Sequence, residues 1–207
     1  MGEMIAENAC LEILESHIST FLKMAVSDFE MISAHFTSEN INSKVFLQAP
    51  GGMCKFEYFV VKGLLQHSYM DESGKEFTLS FPHENWWAGD FKSFKHELPT
   101  DKSLISLEPT CVLKISRPDF LYLLENSLVF ERYIAKLSEN NSIKMQERVL
   151  ADMSSNLEEK VGAFYQNNPL LVSRLSQKRI ASFLGVSQEH LSKVLNKRKE
   201  LPPIDQS

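Results

Sequence analysis

Residues 177–194 read QKRIASFLGVSQEHLSKV, and this stretch decides how the rest of the chain is read. Ile180, Leu184, Val186, Leu191 and Val194 are apolar, Ala181 is small, and Gly185 falls between two amphipathic runs. Two short helices that cross steeply need a small residue where they nearly touch, and Ala181 supplies it. The chain must then reverse within about three residues, and glycine takes a positive φ in such a turn without strain. Ser187 stands where a hydroxyl can cap the second helix. On a helical wheel Leu191, Val194 and Leu195 share one face, and Glu189, Ser192, Lys193 and Asn196 share the other. The spacing predicts a helix-turn-helix whose second helix offers hydrogen-bonding side chains to a DNA major groove. An ordinary helical hairpin would show the amphipathicity, but not five apolar positions, an alanine and a glycine all in register.

Charge supports this reading. Residues 172–200 hold seven basic side chains (Arg174, Lys178, Arg179, Lys193, Lys197, Arg198, Lys199) against Glu189 and Glu200, in a chain whose formal net charge is −5. An acidic protein with one basic end directs that end toward phosphate.

The remaining composition narrows the classes. At 207 residues with 43% hydrophobic side chains, the chain can bury a real core in one large domain or two smaller ones. No apolar run is long enough to span a membrane. The start, MGEMIAENACLEILESH, lacks the pattern of a signal peptide, and Ala6 stands where a myristoylation signal needs Ser or Thr. Cys10, Cys54 and Cys111 are scattered along the sequence, which fits a reducing cytoplasm better than a disulfide framework. His83-Glu84 and His96-Glu97 begin like zinc-protease helices, but Trp87 and Thr100 occupy the second histidine position. There is no His-x-His pair, no Gly-x-Ser-x-Gly and no phosphate-cradling glycine loop, and three cysteines are too few for a four-thiolate iron–sulfur site. No enzyme activity, metal or cofactor is expected.

Taken in order, residues 8–34 are helical in pattern, with Leu11, Leu14, Ile18, Phe21 and Leu22 and then Phe29, Ile32 and Phe36 on a three-four spacing, and Ser27 in position to cap a second helix. Strands are expected at 45–48, 56–61, 64–70 and 75–81. The first long pair is joined at Lys62-Gly63 as neighbours, and a turn falls at Asp71–Gly74. Residues 103–107 and 111–115 flank Glu108-Pro109-Thr110 as a further hairpin. Short strands at this spacing suggest a β-roll or barrel. Pro118 suits the first turn of a helix at 120–125. A long helix follows over 128–153, about 39 Å at 1.5 Å per residue. Its stripe of Phe130, Ile134, Leu137, Met145 and Val149, broken at Asn140-Asn141, suggests a dimer seam. Ser154 or Ser155 caps the next helix, which carries Leu157, Val161, Phe164 and Tyr165 and ends at Asn167-Asn168-Pro169. The tail LPPIDQS is expected to fray.

An N-terminal roll, a long helix and a C-terminal helix-turn-helix, in that order, resemble the cyclic-AMP receptor protein and FNR (Crp/Fnr) superfamily of bacterial transcription regulators, in the style of divergent members from Bacteroidetes-type bacteria. FVVKGLLQHSYMDESGKEFTLSF resembles the family's strand, Lys-Gly turn, strand, Asp-x-x-Gly turn and strand, and ENWWAGD resembles its phosphate-cassette region. The resemblance implies an α+β fold in three parts. These are a double-stranded β-helix sensor (jelly-roll, cyclic-nucleotide-binding-like) over 1–116, connecting and dimerisation helices over 117–153, and a winged helix-turn-helix over 154–207. Few residues follow Asn196, which leaves little chain for a full wing. The implied partners are double-stranded DNA, a second copy of the chain and RNA polymerase, in the cytoplasm and away from membranes.

In the family, the first, second and sixth residues of the recognition helix read bases. Here these are Gln188, Glu189 and Lys193, whose chemistry suits adenine, cytosine and guanine respectively. Arg174, Lys178, Arg179 and Lys197 are candidate phosphate contacts, and His190 flanks them. The ligand side departs from the pattern. Gly89-Asp90 and Lys102-Ser103-Leu104 stand where nucleotide-binding members carry Gly-Glu and an Arg-Ser-Ala-like run. Asp is one methylene short, Lys is a point charge rather than a bidentate fork, and Met145-Gln146 replace the family's Thr-Ser pair. Cyclic AMP is therefore not expected. An unidentified effector would meet Trp86, Trp87, Gly89, Asp90, Lys102 and Ser103. A competing reading is a ligand-binding or protein-interaction module whose helix-turn-helix no longer reads DNA.

Overall fold

The computed structural model describes residues 6–199, and side chains as far as Lys197. The expectations for Gly2 and for the tail lie outside these residues. Two helices, α1 (Glu7–Ser19) and α2 (Val26–Ser33), precede eight strands: β1 (Phe36–Ile41), β2 (Phe46–Gln48), β3 (Phe56–Lys62), β4 (Leu65–Met70), β5 (Glu76–Ser80), β6 (Trp87–Ala88), β7 (Lys102–Ser106) and β8 (Thr110–Ser116). A short helix α3 (Phe91–His96) lies between β6 and β7. Then come α4 (Arg117–Asn126), α5 (Leu128–Ser154), α6 (Leu157–Asn167), α7 (Pro169–Arg174), α8 (Gln177–Phe183) and α9 (Gln188–Lys199). The chain groups into two compact units that part within α5, between Asn140 and Asn141, with Glu76–Thr78 of β5 grouped with the second.

The strands form two four-stranded sheets, ordered β1-β8-β3-β6 and β2-β7-β4-β5. This is the expected roll, but two of the expected pairings are wrong. β3 and β4, joined at Lys62-Gly63, lie in different sheets, and so do β7 and β8. A short glycine link can serve a crossover as well as a hairpin, and local sequence does not separate the two. Gly63 has φ +114°, and a Cβ placed there would lie 2.7 Å from Thr110 Cα, so the two crossovers pack directly on each other. The Asp71–Gly74 turn is a true one: Asp71 Oδ1 accepts from the backbone N–H groups of Ser73 and Lys75, both at 2.9 Å.

Strand alternation divides the core in two. Phe59 and Val61 of β3, with Cys111, Leu113 and Ile115 of β8, face α1, α2 and α4 in a cluster that takes in Cys10, Leu14, Ile18, Phe29, Ile32 and Phe120. Tyr58 and Val60, with Ile41, Leu65, Ala88, Leu104 and Val112, fill a second cluster. Covered on both faces, β3 reads as one nearly unbroken apolar run.

Helix boundaries also correct the expectations. α2 starts after Ala25, whose N–H donates to Asp28 Oδ2 at 3.0 Å, so Ser27 is not its cap. Phe36, taken above as helical, opens β1 opposite Ile115. Pro118 lies in the first turn of α4, as expected, and Ser116 caps the helix. The cap of α6 is Asn156, not Ser154 or Ser155. Its Oδ1 accepts from Glu159 N–H at 3.0 Å, and Glu159 Oε2 accepts from Asn156 N–H at 2.9 Å. Ser154 still belongs to α5 and donates back to the Leu150 carbonyl. α5 is a single helix of 27 residues. Phe130, Tyr133, Ile134 and Leu137 in its first half pack into the chain's own core cluster, whereas Ile143, Met145, Val149, Leu150 and Met153 are exposed.

Candidate nucleic-acid interface

The second unit builds α8 and α9 as the spacing predicts. Ser176 caps α8 by accepting from Arg179 N–H at 3.4 Å. The turn closes with Val186 N–H on the Ala181 carbonyl at 3.0 Å, and Gly185 takes φ +72°. Ser187 then caps α9, accepting from His190 N–H at 3.2 Å. Ile180, Ala181, Leu191 and Val194 are buried, and Leu195 is half-buried. Val161 and Phe164 of α6 and Leu171 of α7 are buried in the same unit. Phe164 meets Phe183 at 5.3 Å between ring centroids, and the Arg148 guanidinium lies 4.4 Å from the Phe183 ring.

With that face buried, α9 turns Gln188, Glu189, His190 and Lys193 to the surface. The three candidate base-reading residues thus share the exposed side of one helix. Gln188 and Glu189, with Gln177 and Ser192, line an open hollow of about 410 Å³. Gln177, the first residue of α8, was not among the expected site residues. Its position is fixed by the turn, which a scan of α9 alone does not register. The Glu189 carboxylate sits at the α9 N-terminus, where its own backbone N–H, then the Ser187 hydroxyl and the Lys193 charge hold it below the usual range. It is therefore a charged acceptor at neutral pH.

The candidate phosphate contacts are less uniform. Lys178 is exposed, and Arg174 and Arg179 are half-buried. Lys197 Nζ lies 2.8 Å from Glu158 Oε1 of α6. Both ends of that ion pair are open to solvent, so it is worth little and can be exchanged for a phosphate.

The candidate effector residues have different surroundings. Asp90, nearly buried, accepts from Thr100 Oγ1 at 2.7 Å and pairs with Lys102 Nζ at 3.1 Å, and Lys102 also meets Asp101 at 2.9 Å. Burial pushes the Asp90 carboxyl up, but the hydrogen bonds from Thr100 and Lys102 and the lysine charge outweigh it and leave the group below its usual range. Ser103, the next residue on β7, points to the opposite face and meets Ser68 Oγ at 2.9 Å. Gly89 lies beneath the Glu57 carboxyl, whose oxygens would be 2.5 Å from a Cβ there. Trp86 is exposed and stacks on His83 at 4.8 Å. Trp87 is half-buried and donates Nε1–H to Tyr133 Oη at 2.8 Å. The two tryptophans, adjacent in sequence, thus do not line one site together.

Among the described residues no cluster of side chains suits a metal ion, and no helix is long and apolar enough to cross a membrane.

No protein-family model and no curated protein matches the sequence. Solved structures do. A regulator assigned to the Crp/Fnr family from Eubacterium rectale superposes with a TM-score of 0.68 at 14% identity, over 85% of this chain and 84% of that one. FixK2 from Bradyrhizobium japonicum gives 0.69 at 13% identity, over 83% and 89%. CLP, the c-di-GMP-responsive global regulator of Xanthomonas campestris, gives 0.64 at 15% identity, over 84% and 92%. At such identities the likeness speaks for architecture, and it covers more than four fifths of the chain: the chain has the fold of the Crp/Fnr transcription regulators.

Proposed function

We propose that this chain is a DNA-binding transcription regulator of the Crp/Fnr type, a dimer that reads an inverted repeat with α9. The observation that carries the reading is the exposed side of α9. A helix packed through Leu191 and Val194 presents a glutamine, an ionised glutamate and a lysine, side chains suited to the edges of three different bases. The basic residues around it supply phosphate affinity, which falls steeply as salt rises. Where a related regulator would grip an anionic effector, Lys102 is already neutralised by Asp90 and Asp101. Cyclic AMP is therefore a poor fit to this roll.

Selection of bound duplexes from random DNA tests the proposal. The expected consensus is two-fold symmetric, with half-sites about 34 Å apart or a multiple of that. Glu189→Ala should relax preference at one base pair in each half-site, by about 1–3 kcal/mol of discrimination. Recovery of no symmetric consensus would support a helix-turn-helix that does not read DNA. An unchanged consensus with Glu189→Ala would remove that residue from base reading.

A further inference from the structure

Cys10 on α1 and Cys111 on β8 are 101 positions apart in sequence, yet their Sγ atoms lie 3.3 Å apart. Both are buried and both are free thiols. A disulfide has its sulfurs about 2.05 Å apart, so the pair has only about 1.2 Å to close. Cys54 is also buried and free. Its backbone N–H donates to Ser93 Oγ.

We propose that Cys10 and Cys111 form an oxidisable dithiol that a small peroxide closes to a disulfide. The geometry selects the oxidant. α1 meets the sheet through side chains, chiefly Cys10, Leu14 and Ile18, and meets α5 through the hydrogen bond between His17 Nδ1 and Tyr133 Oη. A helix held this way opens locally more readily than the paired strands beneath it. Opening exposes Cys10. Hydrogen peroxide then transfers one oxygen to its sulfur, giving a sulfenic acid and one water. A single added oxygen lets α1 settle back, whereas a bulky adduct such as glutathione would hold it off. On closing, the Cys111 sulfur attacks the Cys10 sulfur, the S–S bond forms, and the sulfenic oxygen leaves as a second water with the Cys111 proton. Two thiols are oxidised by two electrons and one peroxide is reduced to two waters. Cys10 moves with α1 while Cys111 stays on β8 between two paired strands, so Cys10 meets the peroxide and Cys111 resolves. The product would fasten α1 to β8.

The test treats the full chain with hydrogen peroxide under native conditions and measures intact mass without reductant. Wild type and Cys54→Ser should each lose two hydrogens, and dithiothreitol should restore them. Tryptic digestion should give one peptide joining the segment that ends at Lys23 to Ser103–Lys114. Neither Cys10→Ser nor Cys111→Ser should lose two hydrogens, and Cys111→Ser should take up oxygen instead. Cys54→Ser leaves the pair untouched, so the test survives if either of the other variants fails to fold. Oxygen uptake without hydrogen loss in wild type, or a bond that includes Cys54, would overturn the proposal.

Discussion

The Glu57 carboxyl lies over the backbone of Gly89, buried, with no hydrogen-bond partner for its Oε1. Burial first, and the Asp90 charge second, hold its pKa well above the usual carboxylate range. The folded protein therefore keeps a proton there that the unfolded chain gives up near its ordinary value of 4.5. Between those two pKa values the native state binds more protons, so stability is fully present below the lower one and falls as pH rises, by about 1.4 kcal/mol per pH unit for one such group. Glu57→Gln keeps the shape and hydrogen-bonding capacity of the neutral acid without the titration. Urea unfolding at pH 5 and pH 7 should show wild type losing stability relative to the variant across that interval, and parallel pH curves would rule the account out. None of this was legible in FEYFVVK, where Glu57 looks like one polar residue in an apolar strand. The glycine that makes room for it directly follows β6 and is brought alongside by the β3–β6 pairing.

At the scale of elements, legibility depended on range. The helix-turn-helix could be read because its small residue, glycine turn and cap lie within eighteen consecutive residues. The two false hairpins could not, because which sheet a strand joins depends on partners far along the chain. The cap of α6 was missed by one or two positions. Serines at 154 and 155 look like caps, but the reciprocal bonds of Asn156 and Glu159 fix the start of the helix. Asn156→Ala should cost about 1 kcal/mol in thermal or urea unfolding of the second unit. A change below a few tenths would mean that α6 is held by the packing of Val161 and Phe164 alone.

At the scale of the molecule, α5 divides its apolar stripe between two tasks. Ile134 and Leu137, expected at the seam, pack against the chain's own core, so changing them would damage the fold rather than isolate association. Val149 and Leu150 are 49% and 67% exposed and make the cleaner test of the dimer. Replacing both with Glu should halve the mass seen by light scattering while circular dichroism stays unchanged. A persisting dimer would place the seam elsewhere. The roll carries a further consequence, for synthesis. β1 sits at a sheet edge and, among the described residues, pairs only with β8, with Phe36 opposite Ile115 and Ile41 opposite Thr110. Roughly 70 residues separate the partners, so at about 5–20 residues per second a ribosome takes several seconds between making one and making the other. An apolar β1 would spend that wait as a template for other nascent chains. FTSENI, polar at its centre and therefore hard to recognise as a strand, is a sequence that can wait.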